Sequence, residues 1–262
     1  MDTDIKPEEG MVAFLDILGY TSFLINNEPE EAAETILPHL LGAPENVDKF
    51  YESTFKESEH KPTIKDHVNH IKWMIFSDTI LLTNAYEPGD SEKDKASRWY
   101  YFLITLIILY RQLFDNGLPV RGGVSHGKFL VVQGRCFAGR SIIAAFQLAN
   151  NLDLAAVALD QSVRKELEKI KGAPNISGIN LLVLDYLVAT KSQPPQKMDV
   201  LIPTMPKLGP LDFSDIRQVV AESFWKNKKD LGPDVISKLE NTELFFRFAR
   251  MRKPNLFSEM KV

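Results

Sequence analysis

The chain has 262 residues, 44% hydrophobic and 25% charged, ordinary proportions for a globular protein of one large domain or one domain with an appended subdomain. Its 31 basic and 35 acidic residues leave a formal net charge of -4, which argues against a surface built for nucleic acid or an anionic membrane, though a local basic pocket remains open. Cys136 is the only cysteine, so no intrachain disulfide and no cysteine-based zinc site can form, in keeping with a reducing, cytoplasmic setting.

Residues 1–10 are acidic and polar, read as a flexible N-terminus, and lack the basic-then-apolar plan of a signal peptide. The apolar run Val12-Ala13-Phe14-Leu15 suits a strand covered on both faces. Asp16 then falls at the strand's C-terminal end, where open sheets place their chemistry. Gly19 permits close backbone approach, and the first N–H groups of the following helix favour an anion. A carboxylate beside an anion hole points to a metal-bound polyphosphate, although a turn or capping aspartate explains Asp16 alone equally well.

Tyr20 to about Leu41 reads as a helix divided or kinked by Pro29 and Pro38, Asn46 to Phe55 as another, and Glu57 to Asp66 as a charged loop. His67 to Phe76 is expected to form a strand, Ser77-Asp78 a tight turn, and Thr79 to Thr83 the antiparallel partner. On such a strand His67 and His70 face opposite ways and make a poor chelating pair. The apolar run Trp99 to Tyr110 falls short of the roughly 20 residues a bilayer requires. It continues into the polar, glycine-closed end Arg111 to Gly117, so it reads as a core helix or an interface helix rather than a membrane insertion.

Leu118 to Val132 is expected to form a second hairpin, its glycines marking bulges or close backbone approach, with His126 a surface or packed histidine. Arg140 to Leu152 and Asp160 to Lys171 read as helices and Ile179 to Leu184 as a strand. The resulting order, β-α-β-β-α-β-β-α-(α)-β, is an α+β plan. Residues 193–210, with five prolines beginning at Pro194, read as a connector, and residues 211–262 as a helical extension packed on the core or on a partner.

Asp78 is the second carboxylate. It lies in Phe76-Ser77-Asp78-Thr79-Ile80, at the tip of a strand–turn–strand. Two carboxylates on neighbouring strand ends can share two divalent ions about 3.5–4 Å apart. One ion lowers the pKa of an attacking hydroxyl and the other neutralises a triphosphate and its leaving pyrophosphate.

Phe14 to Phe23 resembles the F-x-D-I-x-G-F-T opening of class III nucleotide cyclases. Phe76 to Ile80 is similar to their G-D-S hairpin with Ser77 in place of glycine, Val120 to Gly127 to their R-V-G-I-H-T-G segment, and Phe137-Ala138-Gly139 to their helix entry. The resemblance spans residues 11–192. It implies a ferredoxin-like palm, a mostly antiparallel sheet with helices packed on it plus C-terminal helices, and homodimers with composite active sites. It assigns two Mg²⁺ or Mn²⁺ ions to Asp16, Asp78 and the Ile17 carbonyl. Backbone N–H groups from Leu18, Gly19, Tyr20 and Thr21 would cradle the β- and γ-phosphates.

Departures from the pattern narrow the reading. The family's purine-reading positions fall on Met74 and Cys136, with Lys72 on the strand face of Met74. Its transition-state asparagine and arginine fall on Ile143 and Gln147, or after a one-turn shift on Gln147 and Asn151, so Arg140 beside Ser141 is the substitute candidate, helped by Lys128 or Arg135. A chain that keeps both metal aspartates and loses the purine readers resembles the stand-alone bacterial pyrimidine cyclases of the Pycsar antiphage system. That resemblance implies conversion of UTP, in preference to CTP, to a cyclic mononucleotide that activates a separate effector. The alternatives are a degenerate cyclase-fold sensor or scaffold and a purine cyclase with an atypical pocket. The Gly-Gly-(Asp/Glu)-Glu-Phe signature of diguanylate cyclases is absent.

Overall fold

The computed structural model describes residues 7–54, 61–132, 136–191, 194–205, 208, 215–229 and 232–254. At its centre β1, Glu8–Ile17, lies between two antiparallel neighbours, β3 (Thr79–Ala85) and β4 (Val120–Val132). β2, Lys72–Phe76, forms one sheet edge beside β3, joined to it through the Ser77-Asp78 turn. On the other side come β6 (Val157–Leu159), parallel to β4, then β8 (Gln196–Leu201) and the edge strand β7 (Val183–Val188). β5, Cys136–Ala138, pairs only with the far end of β4. The order β2-β3-β1-β4, with helices between β1 and β2 and between β3 and β4, is the βαββαβ arrangement of a ferredoxin-like core. The sheet is mixed, antiparallel except at β4–β6, and the expected α+β plan holds.

Alternation along β1 explains its unbroken apolar run. Met11, Ala13, Leu15 and Ile17 point into the main core, while Val12 and Phe14 point into a smaller cluster on the opposite face. The main core is filled by α5, Glu92–Asp115, whose Trp99, Phe102, Leu106 and Ile107 are completely buried. Ser91 caps this helix in a reciprocal capping box with Asp94. No described helix is long and apolar enough to cross a membrane. The opposite face carries α6, Arg140–Asn151, seated on β1 and β4. Gly123 makes that seat possible: a Cβ there would stand 2.2 Å from the Ala145 carbonyl oxygen.

Several local expectations are corrected. The helix expected over residues 20–41 is divided at Pro29, as read, into α1 (Tyr20–Asn26) and α2 (Pro29–Leu40), whereas Pro38 is tolerated inside α2. α3 is Ala43–Thr54. α4, Lys61–Asn69, replaces part of the expected loop and the beginning of the expected strand. His67 is therefore helical, buried and stacked on Tyr101 at 5.6 Å, while His70 lies in the turn after it; the opposite-face argument fails, although the two rings still find separate partners. β4 is one 13-residue strand rather than a hairpin, held straight by pairing with β1 along ten register positions, and the hairpin is instead β4–β5.

α7, Gln161–Lys169, is capped by Asp160, but the strand expected from Ile179 begins only after α8, Ile176–Leu182. Residues 8–10, expected to be flexible, belong to β1, and the proline-rich stretch contains β8, because β6 and β7 both offer it unpaired edges. α9 (Ile216–Trp225) and α10 (Pro233–Arg252) form the C-terminal extension. Phe224, Phe245 and Phe246 sink it into the main core of its own chain.

Candidate active site

Asp16 and Asp78 are brought together by the sheet. The backbone N–H of Ile17 donates to the Asp78 carbonyl at 3.0 Å, locking the end of β1 to the β2–β3 turn. Ser77 occupies the left-handed region at φ 54, a conformation that favours glycine, which fits a tight turn serving to present the next side chain. Burial raises the Asp16 pKa first, Arg121 pulls it back through charge and a hydrogen bond, and the charge of Asp78 raises it again.

Arg121 is the residue that sequence reading missed. It stands opposite Asp16 in the β1–β4 register and donates from Nε to Asp16 Oδ2 at 2.7 Å. Its Nη2 also reaches the Asn150 Oδ1 at 2.8 Å, so the C-terminal end of α6 is tied to the same point. The arginine was visible within Val120 to Gly127, but only the register shows that it faces the carboxylate. Lys191 joins this group: the charges of Arg121 and Lys238, after burial, lower its pKa, and those of Asp16 and Asp153 raise it.

The turn after β1 differs from the expected cradle. Leu18 is buried, and its N–H donates to the Pro119 carbonyl at 2.8 Å, so it is not available to a phosphate. Gly19 adopts φ 76, and Tyr20 opens α1, which leaves the first-turn N–H groups of Tyr20 and Thr21 together with that of Gly19 as candidate donors.

The remaining expected site residues do not gather at Asp16. Met74 lies one same-face step from the carboxylate level and packs into the smaller apolar cluster with Leu81. Lys72 is farther along β2 and pairs with Glu8 at 2.7 Å. Lys128 aligns with Glu9, seven β4 residues beyond Arg121, or ~24 Å along a strand. Ser141 belongs to that distant end, buried, with its hydroxyl donating to the Lys128 carbonyl at 3.1 Å, so within one chain it stands apart from Asp16. Arg140, at the N-terminus of α6, is exposed and lies at this distant end as well. Cys136 sits in β5 opposite Val132, beyond even Lys128. Arg135 lies outside the described residues. Within one chain the metal-type carboxylates and the Arg140 group therefore occupy opposite ends of α6.

Ile143 and Gln147, the aligned positions for a transition-state pair, are exposed on α6, and it is Asn150 that reaches the site. His126 is packed, as expected, its ring near Tyr86 and Trp99 at the end of β4 away from Asp16.

The donor chemistry fits a hard divalent cation: Asp16, Asp78 and the Ile17 carbonyl would all offer oxygen, and Mg²⁺ commonly takes one or two carboxylates plus substrate phosphates. Among the described residues no group of three or more His, Cys, Asp or Glu side chains stands ready to hold an ion alone.

No protein-family model matches the chain, and no curated protein matches it. Among solved structures, the catalytic core of a rhodopsin-guanylyl cyclase with converted specificity, bound to ATPαS, is similar at 12% identity and TM-score 0.48, over 76% of this chain and 98% of that one. The guanylate cyclase domain of RhGC from Catenaria anguillulae in complex with GTP gives 13% and 0.47, over 75% and 97%. A class III adenylyl cyclase-like ATP-binding protein from Pseudomonas aeruginosa gives 16% and 0.46, over 96% of this chain and 44% of that one. At identities and TM-scores this low, these likenesses assign neither family nor activity; the site geometry has to carry the functional reading.

Proposed function

We propose that the chain is a nucleotidyl cyclase that converts a nucleoside triphosphate to its 3′,5′-cyclic monophosphate and pyrophosphate, with UTP favoured over CTP. The observation that carries the reading is the convergence of Asp16 and Asp78 at one sheet end, pinned by the Ile17–Asp78 backbone bond. Asp16, Asp78 and the Ile17 carbonyl would hold two Mg²⁺ or Mn²⁺ ions. When bound, such ions lower the pKa of the ribose 3′-hydroxyl and neutralise the phosphates. Arg121 orients the Asp16 carboxylate and offsets part of its charge. The N–H groups of Gly19, Tyr20 and Thr21 receive the β- and γ-phosphates. The 3′-oxygen attacks the α-phosphorus, the bond to the bridging oxygen breaks, and pyrophosphate departs.

The separation of the Arg140 end from the carboxylate end supports a homodimer with composite sites, in which one copy supplies Asp16 and Asp78 and the other supplies Arg140, Cys136, Lys72 and Met74 near the base. Phe76, Ile143 and Phe146 offer the exposed apolar surface such a pairing needs, at 76%, 56% and 45% exposure. Met74 lacks the charged group that the family's purine-reading position carries, which counts against a purine reader of that type. The resemblance to the pyrimidine cyclases extends the reading to a cytoplasmic enzyme whose product activates an antiphage effector.

The test incubates purified protein and Mn²⁺ with each of the four ribonucleoside triphosphates separately, with Asp78→Ala alongside. A cyclic pyrimidine product from the wild type alone supports the reading. ATP or GTP turnover retains the cyclase and removes the pyrimidine and defence assignments. Nucleotide binding without pyrophosphate release favours the degenerate sensor, a reading that the diversion of Leu18 and the absence of Arg140 from the Asp16 end within one chain also suit.

A further inference from the structure

Residues 226–229, which follow α9, run beneath the turn that comes after Asp16. Asn227 and Lys228 are consecutive left-handed non-glycine residues, at φ 68 and 55. Such a conformation persists only where its surroundings over-determine it, and here they do. On one side this segment caps the carbonyl end of α5: Lys226 Nζ donates to the Asp115 carbonyl at 3.2 Å, Asn227 Nδ2 to that of Asn116 at 3.2 Å, and Lys229 Nζ to that of Gly117 at 2.5 Å. On the other side Asn26 Nδ2 reaches the Lys228 carbonyl and Asn27 Nδ2 the Asn227 carbonyl, both at 3.0 Å, while Lys228 pairs with Glu31 at 2.6 Å.

Lys229 is the centre of this brace. It is 7% exposed, and a second bond joins its Nζ to the Ser223 carbonyl at 3.2 Å. Its stem lies against the one glycine of the turn: a Cβ on Gly19 would stand 3.2 Å from Lys229 Cδ. Gly117, which accepts from Lys229, is two residues before Pro119, which accepts from Leu18. The lysine thus touches the Asp16–Tyr20 turn directly at Gly19 and indirectly through the α5–β4 connection.

We propose that Lys229 is a positioning residue for the phosphate-binding turn, and that the C-terminal extension is thereby a structural part of the site. The phosphate role rests on the nucleotide reading above; the brace itself does not. Burying a lysine head with two carbonyl acceptors and no carboxylate beside it is costly, and its retention under a glycine turn is consistent with a fixing role.

The test measures amide exchange in the full chain without nucleotide. In Lys229→Met, which keeps the stem and removes the two carbonyl bonds, the amides of Leu18 and Phe23 exchange about tenfold faster, while those of Ala13 and Phe14 in mid-strand keep their wild-type rates. Asn227→Gly keeps the left-handed backbone and loses only the bond to Asn116; it speeds the same amides about threefold and decides the matter if Lys229→Met does not fold. Unchanged Leu18 and Phe23 rates, or equal acceleration everywhere, would overturn the proposal. Calorimetry with inorganic tripolyphosphate and Mn²⁺ reads the consequence: Lys229→Met weakens binding about tenfold, and with a turned-over nucleotide it raises KM while leaving kcat. Wild-type protein that ignores tripolyphosphate would overturn the nucleotide reading, with the exchange result still deciding the brace.

Discussion

The two ends of the central β1–β4 pair both carry acid–base groups drawn at least partly out of water, and treat them oppositely. At the Phe129 end, Glu166 is closed on every side: Tyr86 donates to it at 3.0 Å, Lys169 at 2.9 Å, and Trp99 donates in turn to Tyr86 at 2.8 Å. His126 stacks into the same cluster, 3.9 Å from Glu166. At the other end Asp16 has one strong partner, Arg121, and the Asp78 side chain has none among the described residues. A polar group whose bonding capacity is spent internally holds the fold together, whereas one whose capacity remains can be spent on a ligand. Charge alone does not separate the two; the unspent lone pairs do.

The sharpest way to break this comparison is to exchange the expected consequences. Asp78→Ala should lower turnover by roughly 10³-fold or more, the scale of losing a preorganised charge-stabilising element, with little change in thermal midpoint because its side chain holds nothing. Steady-state rates beside a melting curve check this, and a large midpoint drop would move Asp78 into the structural class. Glu166→Ala should do the reverse: it strands the Tyr86 hydroxyl, while the exposed Lys169 ammonium returns to water, costing about 1–3 kcal/mol in denaturant unfolding, and turnover per folded molecule stays.

pH sharpens the contrast further. Burial lowers the Lys229 pKa to about 7, below the unfolded value near 10.4. Between those values the unfolded chain binds the extra proton, so unfolding free energy rises with pH across that window, and Lys229→Met should flatten the rise. Burial also lowers the His126 pKa, so its contribution falls away as pH drops below the unfolded histidine value of about 6.5, where the unfolded chain takes the proton first. Urea titrations at stepped pH measure both. The smallest effect is expected at Ser77→Gly, which should relieve left-handed strain worth about 1 kcal/mol, partly offset by backbone entropy, and leave the Asp78 turn in place.

The carboxylates and the strand that bears one of them were legible in the sequence because they depend on local information. A short unbroken apolar run, a carboxylate at its end and a glycine after it specify a strand buried on both faces and a turn, without reference to anything distant. The turn carrying Asp78 was legible for the same reason. Elements that failed are those whose conformation tertiary contacts select. β4 reads as a hairpin by its glycines, yet pairing along the whole of β1 keeps it straight; the proline-rich stretch reads as a connector, yet two strands with open edges recruit β8 from it.

By itself, then, the sequence determined the α+β plan, the central strand with Asp16, the Asp78 turn and the buried helix α5, all of which follow from residue periodicity and turn chemistry. Only the tertiary structure decided the rest. Register, a property of two strands at once, set Arg121 against Asp16. The packing direction of α6 carried Arg140 away from that carboxylate while bringing Asn150 to it. Burial turned Ser141 and Leu18 inward, and a contact across more than two hundred residues placed Lys229 under Gly19. Such distances are closed by the core, because the apolar area buried there outweighs the entropy of bringing remote segments together, and local residue patterns carry no record of which segments will meet.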